Sequence, residues 1–173
     1  MDYDTQGAMR LANQLCFPLY AAARNVTGLY TPWLKPLGLT YTQYIVFLVL
    51  WEQDGVSVTE IGEKLMLDNG TLSPLLKKME QAGYIRRQRS REDERVVVIT
   101  LTEAGKALQE KAKDVPAEVA RCIDLPPEKA QTLYCLLYEL LNNQKNNNHR
   151  MAKSVEDSID FAAKRQVWQQ MIL

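Results

Sequence analysis

The sequence predicts a mainly α-helical protein that carries one small β-hairpin, and three features of its 173 residues predict it. Apolar side chains recur at helical spacing along most of the chain, which is the pattern of helices with one buried face. Over residues 84–101 the composition changes to β-branched and long side chains, with 95–101 (RVVVITL) as the best strand. The charged segment 91–93 divides this interval, as the turn of a hairpin would.

Two short helices are expected immediately before the hairpin. Ser57 and Glu60 have the spacing of a capping box, so the first helix is placed at 57–65. The second helix is placed at 71–81, with Pro74 in its first turn, where proline is tolerated best. Its buried stripe follows from apolar residues at i, i+3, i+4 and i+7, namely Leu72, Leu75, Leu76 and Met79.

Further helices are expected on both sides of this region. A first helix at 9–27 should kink near Pro18, because proline removes a hydrogen bond inside a helix and clashes with the preceding turn. A second apolar helix is placed at 42–53, and Thr102 is the expected N-cap of a helix that reaches about residue 113. The rest of the chain predicts a strong helix at 128–143, a flexible asparagine-rich tract at 142–148 and one more amphipathic helix at 155–172.

Charge is distributed unevenly in a chain whose total is neutral, with 21 basic and 21 acidic residues. A neutral total argues against bulk binding of nucleic acid, but it allows a local basic face. Between Lys77 and Arg95 there are seven basic and four acidic residues, a local net charge of +3. Two short helices followed by a basic hairpin are the order of a helix-turn-helix and its wing, which favours binding of duplex DNA.

The second short helix would enter the major groove, which is wide enough for one α-helix. We expect Asp93 to hold Arg95 in an ion pair that aims its guanidinium at a narrow minor groove, where arginine is electrostatically favoured. Any one basic residue taken alone fits an ordinary solvated surface equally well, and the order of the elements is what favours DNA. The residues expected to contact DNA are Thr71, Ser73, Pro74, Lys77, Lys78, Arg87, Asp93 and Arg95.

The sequence does not have the motifs of several other classes of protein. Three widely spaced cysteines and one histidine do not form a disulfide framework or a metal-ligand pattern, so neither a metal nor a cofactor is expected. It also has no phosphate-binding glycine motif and no nucleophile elbow. No apolar run approaches the roughly 18 residues that span a membrane, and the acidic start does not resemble a secretion signal, so a cytoplasmic protein without membrane contact is expected.

Two sets of residues resemble a known family of transcription regulators. Residues 68–77 (DNGTLSPLLK) and the wing tip 93–95 (DER) resemble the multiple-antibiotic-resistance regulator (MarR) family. Residues 13–17 (NQLCF), 39–44 (LTYTQY) and 50–52 (LWE) resemble its organic-hydroperoxide-resistance regulator (OhrR) branch. These blocks keep the order and spacing of the branch over most of the chain.

The resemblance implies a winged helix-turn-helix whose N- and C-terminal dimerisation helices join two copies into a homodimer on a pseudo-palindromic operator. It also implies that an organic hydroperoxide oxidises Cys16, which releases the DNA and derepresses a peroxidase gene. Tyr30 and Tyr41 correspond to the tyrosines that hydrogen-bond the reactive cysteine across the subunit interface. The chemistry is reasonable, because a thiolate attacks a peroxide, an unperturbed cysteine has a pKa of about 8.5, and hydroxyl donors stabilise the thiolate.

The other two cysteines are assigned less directly. Some members of the branch have a second cysteine near the position of Cys122, which resolves the oxidised sensor as a disulfide, and others use a small cellular thiol, so both routes stay open. Cys135 lies in a segment that is apolar almost all round, which favours packing at the dimer interface. Without the resemblance, Cys16 would fit a buried core cysteine better than a sensor.

Three other functions remain alternatives to the redox-switched repressor. The first is a MarR-type repressor gated by a small aromatic ligand in the dimer cleft, with Cys16 incidental. The second is a thiol peroxidase that uses Cys16 and Cys122, although no arginine or threonine near Cys16 would polarise a peroxide. The third is a winged helix used only for protein contacts, which the concentrated basic wing disfavours.

The expected organisation has four parts, defined by these roles. Residues 1–38 would form an N-terminal dimerisation and sensor region, and residues 39–102 the DNA-binding winged helix-turn-helix. Residues 103–143 would form the C-terminal dimerisation helices. Residues 144–173 would be an extension made of a polar linker and one further helix.

Overall fold

The computed structural model describes residue 7 and residues 9–150, with the backbone alone over 144–150. The chain divides between Val115 and Pro116 into two compact units. The predicted helix at 155–172 lies outside the described residues. The functional boundaries predicted at 38, 102 and 143 concern roles within these units and stay predictions.

The first long helix, α1, covers Cys16–Leu29 and follows a short 3-10 turn at Leu11–Asn13. The prediction of one helix from residue 9 with a kink at Pro18 is wrong, because the chain breaks before Cys16 instead. Pro18 therefore stands in the first turn of α1, where its missing N–H removes no helical hydrogen bond. A single turn, α2 (Thr31–Leu34), and a 3-10 turn (Lys35–Leu37) follow it.

Helix α3 (Tyr41–Glu52) is the central element of the first unit. Its N-cap Thr40 accepts a hydrogen bond from the backbone N–H of Gln43 at 3.3 Å, and the Gln43 side chain accepts one from the Thr40 N–H at 2.9 Å. This capping box fixes the start of the helix. The helix then buries five large side chains in the core, namely Tyr44, Val46, Phe47, Val49 and Leu50.

The helix-turn-helix consists of α4 (Val58–Leu65) and α5 (Asn69–Gln81). The predicted capping box at α4 is confirmed, since the Glu60 N–H donates to Ser57 Oγ at 3.1 Å and Glu60 accepts from the Ser57 N–H at 2.7 Å. Helix α5 begins two residues earlier than predicted. Pro74 consequently lies in its second turn rather than its first, where it removes one internal hydrogen bond.

Three antiparallel strands in the order β1-β3-β2 form the sheet. The hairpin of β2 (Ile85–Arg89) and β3 (Val97–Leu101) confirms the predicted wing, with Ile85 opposite Leu101 and Arg89 opposite Val97. Strand β1 has only two residues, Val56–Ser57, and no sequence pattern predicted it. It places the start of α4 directly beside the wing.

Helix α6 (Glu103–Ala112) leaves the wing through a tight junction. The predicted N-cap Thr102 is confirmed, because its Oγ1 accepts from the Gly105 N–H at 3.2 Å. The same hydroxyl donates to the carbonyl of Gly83 at 2.7 Å. A Cβ at Gly105 would lie 2.2 Å from the carbonyl oxygen of Tyr84, so only glycine allows this approach.

The remaining helices are α7 (Val115–Cys122) and α8 (Pro127–Arg150). The backbone of α8 continues as a helix through the asparagine-rich tract to Arg150, so the predicted end of this helix at 143 is wrong. The flexibility of the tract stays a prediction. Asparagine has a low but not prohibitive helix propensity, and the apolar turns before the tract already nucleate the helix. Among the described helices, none is long and apolar enough to cross a membrane.

Candidate functional site

Helix α5 has one buried face and one polar face. Leu72, Leu76 and Met79 are fully buried and anchor the helix in the core. The N-cap Asp68 accepts from the Thr71 N–H and from the Thr71 hydroxyl, both at 2.9 Å, which fixes the first turn. The exposed face displays the predicted DNA-contacting residues of the helix, namely Thr71, Ser73, Pro74, Lys77 and Lys78.

A side chain of α5 holds the wing in place. The carboxylate of Glu80 accepts a hydrogen bond from the backbone N–H of Arg87 at 3.2 Å. Because β2 is an edge strand of the sheet, this N–H has no strand partner on that side. Arg87 itself is half-buried, and its Nε is buried without a hydrogen-bond partner among the described residues. Its contact with DNA stays a prediction.

The predicted ion pair at the wing tip is confirmed. Arg95 donates to Asp93 through Nε at 3.1 Å, through Nη2 at 3.1 Å and through its backbone N–H at 3.0 Å. These bonds hold the pKa of Asp93 below its usual value. The Arg95 side chain is 91% exposed, so its guanidinium is oriented and at the same time fully accessible to a partner.

Cys16 is the first residue of α1 and is exposed. Tyr20 follows one helical turn later and is 62% exposed on the same side of the helix, with the guanidinium of Arg24 5.8 Å from its ring centroid. The sequence predicted no role for Tyr20, although its i+4 spacing from Cys16 was a usable signal.

Tyr30 and Tyr41, here called the sensor pair, are in direct contact. Tyr30 follows the last residue of α1, Tyr41 is the first residue of α3, and their ring centroids are 4.8 Å apart. Burial raises the pKa of both phenols, and for Tyr30 the proximity of Tyr41 raises it further. Both hydroxyls therefore stay protonated at neutral pH and can donate to an anion.

One chain cannot bring its own Cys16 to its sensor pair. Cys16 and Tyr30 are 14 positions apart on one continuous helix, which separates them by about 21 Å at 1.5 Å per residue. The structure thus unites Tyr30 with Tyr41 but leaves Cys16 at the opposite end of α1. A second copy of the chain can supply a cysteine to the pair.

The other thiols lie in α7 and α8. Cys122 is exposed and is the last residue of α7, while Cys135 is half-buried in the middle of α8. No cluster of cysteine, histidine and acidic residues suited to a metal ion occurs in the part of the chain that the structure describes.

Known proteins similar to this chain are transcription regulators. The organic hydroperoxide resistance transcriptional regulator of Bacillus subtilis (strain 168) is 49% identical over 140 residues, which are 80% of this chain and 95% of that protein. The chain belongs to this branch of the MarR family. The family model of the transcriptional regulators SarA/Rot also matches the MarR-type core, over residues 28–112.

Solved structures of MarR-type regulators share the winged-helix fold. Reduced AbfR bound to DNA matches with a TM-score of 0.67 at 37% identity, over 80% of this chain and 96% of that one. Disulfide-formed AbfR matches with a TM-score of 0.55 at 39% identity, over 79% and 96%. AbfR comes from Staphylococcus epidermidis. A MarR mutant of E. coli complexed with operator DNA, with a TM-score of 0.65 at 23% identity over 73% and 93%, shows the common fold.

Proposed function

We propose that the protein is a homodimeric repressor that binds operator DNA while Cys16 is reduced and releases it when an organic hydroperoxide oxidises Cys16. The observation that carries this proposal is the contact of Tyr30 with Tyr41, about 21 Å along α1 from an exposed cysteine. The names of its relatives support it: one is a hydroperoxide resistance regulator, and AbfR has been solved in reduced, overoxidised and disulfide forms.

The DNA-binding half of the proposal rests on accessible polar groups over a rigid base. Lys77 and Lys78 are exposed on a helix whose opposite side is fully buried, so they can contact phosphates and base edges in a major groove. Arg95 is exposed and oriented by Asp93, which suits insertion into a minor groove. Two such units in a homodimer would span a pseudo-palindromic operator, one recognition helix in each of two successive major grooves.

The sensor half rests on thiolate chemistry. The Cys16 thiolate attacks the terminal OH oxygen of the hydroperoxide, an S–O bond forms, and the O–O bond breaks. The sulfur loses two electrons and becomes a sulfenic acid, while the alkoxide that leaves takes a proton from water and becomes an alcohol. Tyr30 and Tyr41 would donate hydrogen bonds to the thiolate, and sulfenic acid formation would weaken those bonds.

The proposed homodimer is supported by the apolar surface of α1 that one chain leaves exposed. No residue of α1 is buried in the single chain, and its exposed side chains include large apolar ones. Contact with a second copy would cover them and would also bring the second copy's cysteine to the sensor pair. The exposed apolar residues on or beside α1 are Leu15, Phe17, Leu19, Tyr20 and Val26.

A second thiol is needed to convert the sulfenic acid into a disulfide. We assign that role to Cys122 in preference to a small cellular thiol. Cys122 is exposed at the end of α7, so it is accessible for disulfide formation. Mass spectrometry of the oxidised protein under non-reducing conditions tests this assignment. A covalent dimer that a Cys122→Ser substitution abolishes is expected, whereas a stable sulfenic acid or an adduct with added thiol would contradict it.

The central experiment is fluorescence anisotropy with operator DNA from upstream of the protein's own gene. We expect tight binding by the reduced protein, release after one equivalent of cumene hydroperoxide, and recovery with a dithiol reductant. Cys16→Ser should bind DNA equally well and ignore the peroxide. Tight binding that ignores peroxide in the unaltered protein would contradict the sensor and favour a repressor gated by an aromatic ligand.

Two further assignments complete the proposal. As a regulator of chromosomal DNA the protein would act in the cytoplasm. It would also react with one peroxide per thiol rather than act as an enzyme. Continuous consumption of hydroperoxide with a thiol reductant in excess, measured by peroxide assay, would instead identify a thiol peroxidase.

A further inference from the structure

A third tyrosine lies directly behind the sensor pair. Tyr44 is 2% exposed and stands three residues after Tyr41 on α3, so the two side chains lie on neighbouring positions of one helix face. The ring centroid of Tyr44 is 5.7 Å from that of Tyr30. Tyr30 therefore contacts two rings of α3, one half-exposed and one buried.

Tyr44 is itself fixed from behind. Its ring meets Trp51 edge-on at 6.3 Å, and Trp51 stacks on Phe47 at 5.2 Å. The Trp51 Nε1–H donates to the carbonyl of Gly105 at 3.1 Å, which ties these rings to the first turns of α6. The buried side of Tyr44 is consequently rigid, while its other side faces the sensor pair.

The rings behind the sensor pair support it, because α1 makes few buried contacts of its own. No residue of α1 is buried in the single chain. The end of α1 is located by the ring contacts of Tyr30 with α3 together with the fully buried Leu34 of α2, whose N–H donates to the Tyr30 carbonyl at 2.9 Å. The pKa of Tyr44 is raised to about 12 by burial, then by the proximity of Tyr30 and Tyr41. Three protonated hydroxyls thus lie in one neighbourhood.

We propose that Tyr44 is a positioning residue for the sensor pair: its ring holds Tyr30 against Tyr41 so that both hydroxyls point at the thiolate of a second copy. This inference rests on the proposed function. It assigns Tyr44 no contact with the peroxide and no covalent role. The ring acts rather than the hydroxyl, because the ring makes the measured contacts to Tyr30 and Trp51.

The test measures the rate constant for oxidation of Cys16 by cumene hydroperoxide in stopped flow. The full chain carries Cys122→Ser and Cys135→Ser, so that one thiol reports. Tyr44→Leu should slow oxidation at neutral pH by about tenfold. Mispositioned donors would lower the thiolate fraction of Cys16 about as much as lowering the pH by one unit does. Tyr44→Phe, which keeps the ring, should stay within about twofold of the unaltered protein.

Leu72→Ala is the matched control. Leu72 is fully buried in α5 and lies against Gly62 of α4, so it belongs to the core of the helix-turn-helix and not to the rings behind the sensor pair. Leu72→Ala should lower thermal stability about as much as Tyr44→Leu and leave the oxidation rate within about twofold. Tyr44→Met replaces Tyr44→Leu if the latter fails to fold.

Three outcomes would overturn the proposal: equal slowing in Leu72→Ala, slowing in Tyr44→Phe as large as in Tyr44→Leu, or an unchanged rate in Tyr44→Leu. Failure of the proposed function is recognised separately. It would appear in the protein with Tyr44 intact, as Cys16 that does not react or as DNA that is not released. A normal response there, together with a normal Tyr44→Leu, would reject the role of Tyr44 alone.

Discussion

The helix-turn-helix and the N-terminal helix differ in how much of their structure one chain completes. In α5 the side chains of Leu72, Leu76 and Met79 are fully buried, and in α1 no residue is buried at all. The DNA-binding surface is therefore finished within a single chain. The proposed sensor is not, since its cysteine and its tyrosines lie at opposite ends of α1 and a second copy would have to join them.

This difference has a physical reason. A surface that reads DNA must keep its shape whether the sensor is reduced or oxidised, which a fully packed core provides. A switch needs an element with two arrangements of similar free energy, and a helix with few intrachain contacts is easier to displace. Large apolar side chains on α1, such as Phe17 at 45% exposure, would then be covered by the partner in one arrangement.

The largest expected contrast is between two glycine substitutions. Gly105→Ala puts a Cβ 2.2 Å from the Tyr84 carbonyl oxygen, while Gly28→Ala in α1 meets nothing within 4 Å in the single chain. We expect Gly105→Ala to lower the free energy of unfolding by about 3 kcal/mol, and Gly28→Ala to change it by less than about 1 kcal/mol, measured by urea denaturation. A tolerated Gly105→Ala would contradict the tight junction.

A smaller contrast of the same kind concerns two threonines. Thr102 caps α6 and bonds to the carbonyl of Gly83, whereas the Thr27 hydroxyl donates back inside α1, to the carbonyls of Ala23 at 2.8 Å and Arg24 at 3.1 Å. Thr102→Ala should lower the free energy of unfolding by about 1 kcal/mol, and Thr27→Ala should leave it nearly unchanged. Equal losses in thermal denaturation would mean that α1 is more firmly packed than one chain shows.

Local signals explain why the DNA-binding half was largely predictable from the sequence. The capping box at Ser57, the cap at Thr102 and the Asp93–Arg95 pair each depend on residues within three positions of one another. The hairpin follows from its β-branched and long side chains on either side of a charged turn. Even so, the position of Pro74 was wrong by one turn, because the helix starts at Asn69 after the N-cap Asp68, a residue that the prediction left between the two helices.

The sensor half could not be derived from spacing. Tyr30 and Tyr41 lie on different helices, and only the family resemblance named them as a pair. Tyr44 was in the recognised block, but its place behind the pair depends on how α1 meets α3. Strand β1 has only two residues, which is too short for a sequence pattern. The helix through the asparagine-rich tract continues from the apolar turns before it, and the composition of the tract alone does not indicate this.

Asp93→Asn tests whether the wing tip acts independently of the sensor. It removes the bidentate hold on Arg95 and should weaken operator binding about threefold, because the freed side chain has to be ordered on binding. Glu92→Gln changes the net charge equally at the same exposed tip without touching Arg95, and it serves as the control in fluorescence anisotropy. Both variants should release DNA on oxidation as the unaltered protein does, and a lost response would show that wing and sensor are not separable.

The smallest expected effect is a local loss of stability at low pH. We expect it in the helix-turn-helix and the wing but not in α1. Hydrogen bonds from Thr71 hold the pKa of Asp68 below its ordinary value of 3.8, and those from Arg95 do the same for Asp93. A depressed pKa means that each contribution is fully present above about pH 4 and is lost as the pH falls through the folded-state value. Helix α1 contains no acidic residue and should show no such loss.

Amide hydrogen exchange between pH 5 and pH 2.5, corrected for the intrinsic pH dependence of exchange, would show this directly. Protection at the start of α5 and at the wing tip should decrease in that interval, while α1 keeps its protection relative to pH 5 as long as the dimer persists. Asp68→Asn keeps a capping oxygen without a titrating group, so it should remove the acid dependence at α5 alone. If α1 loses protection first, the interface that covers it contains titrating partners, and the sensor half is the acid-sensitive one.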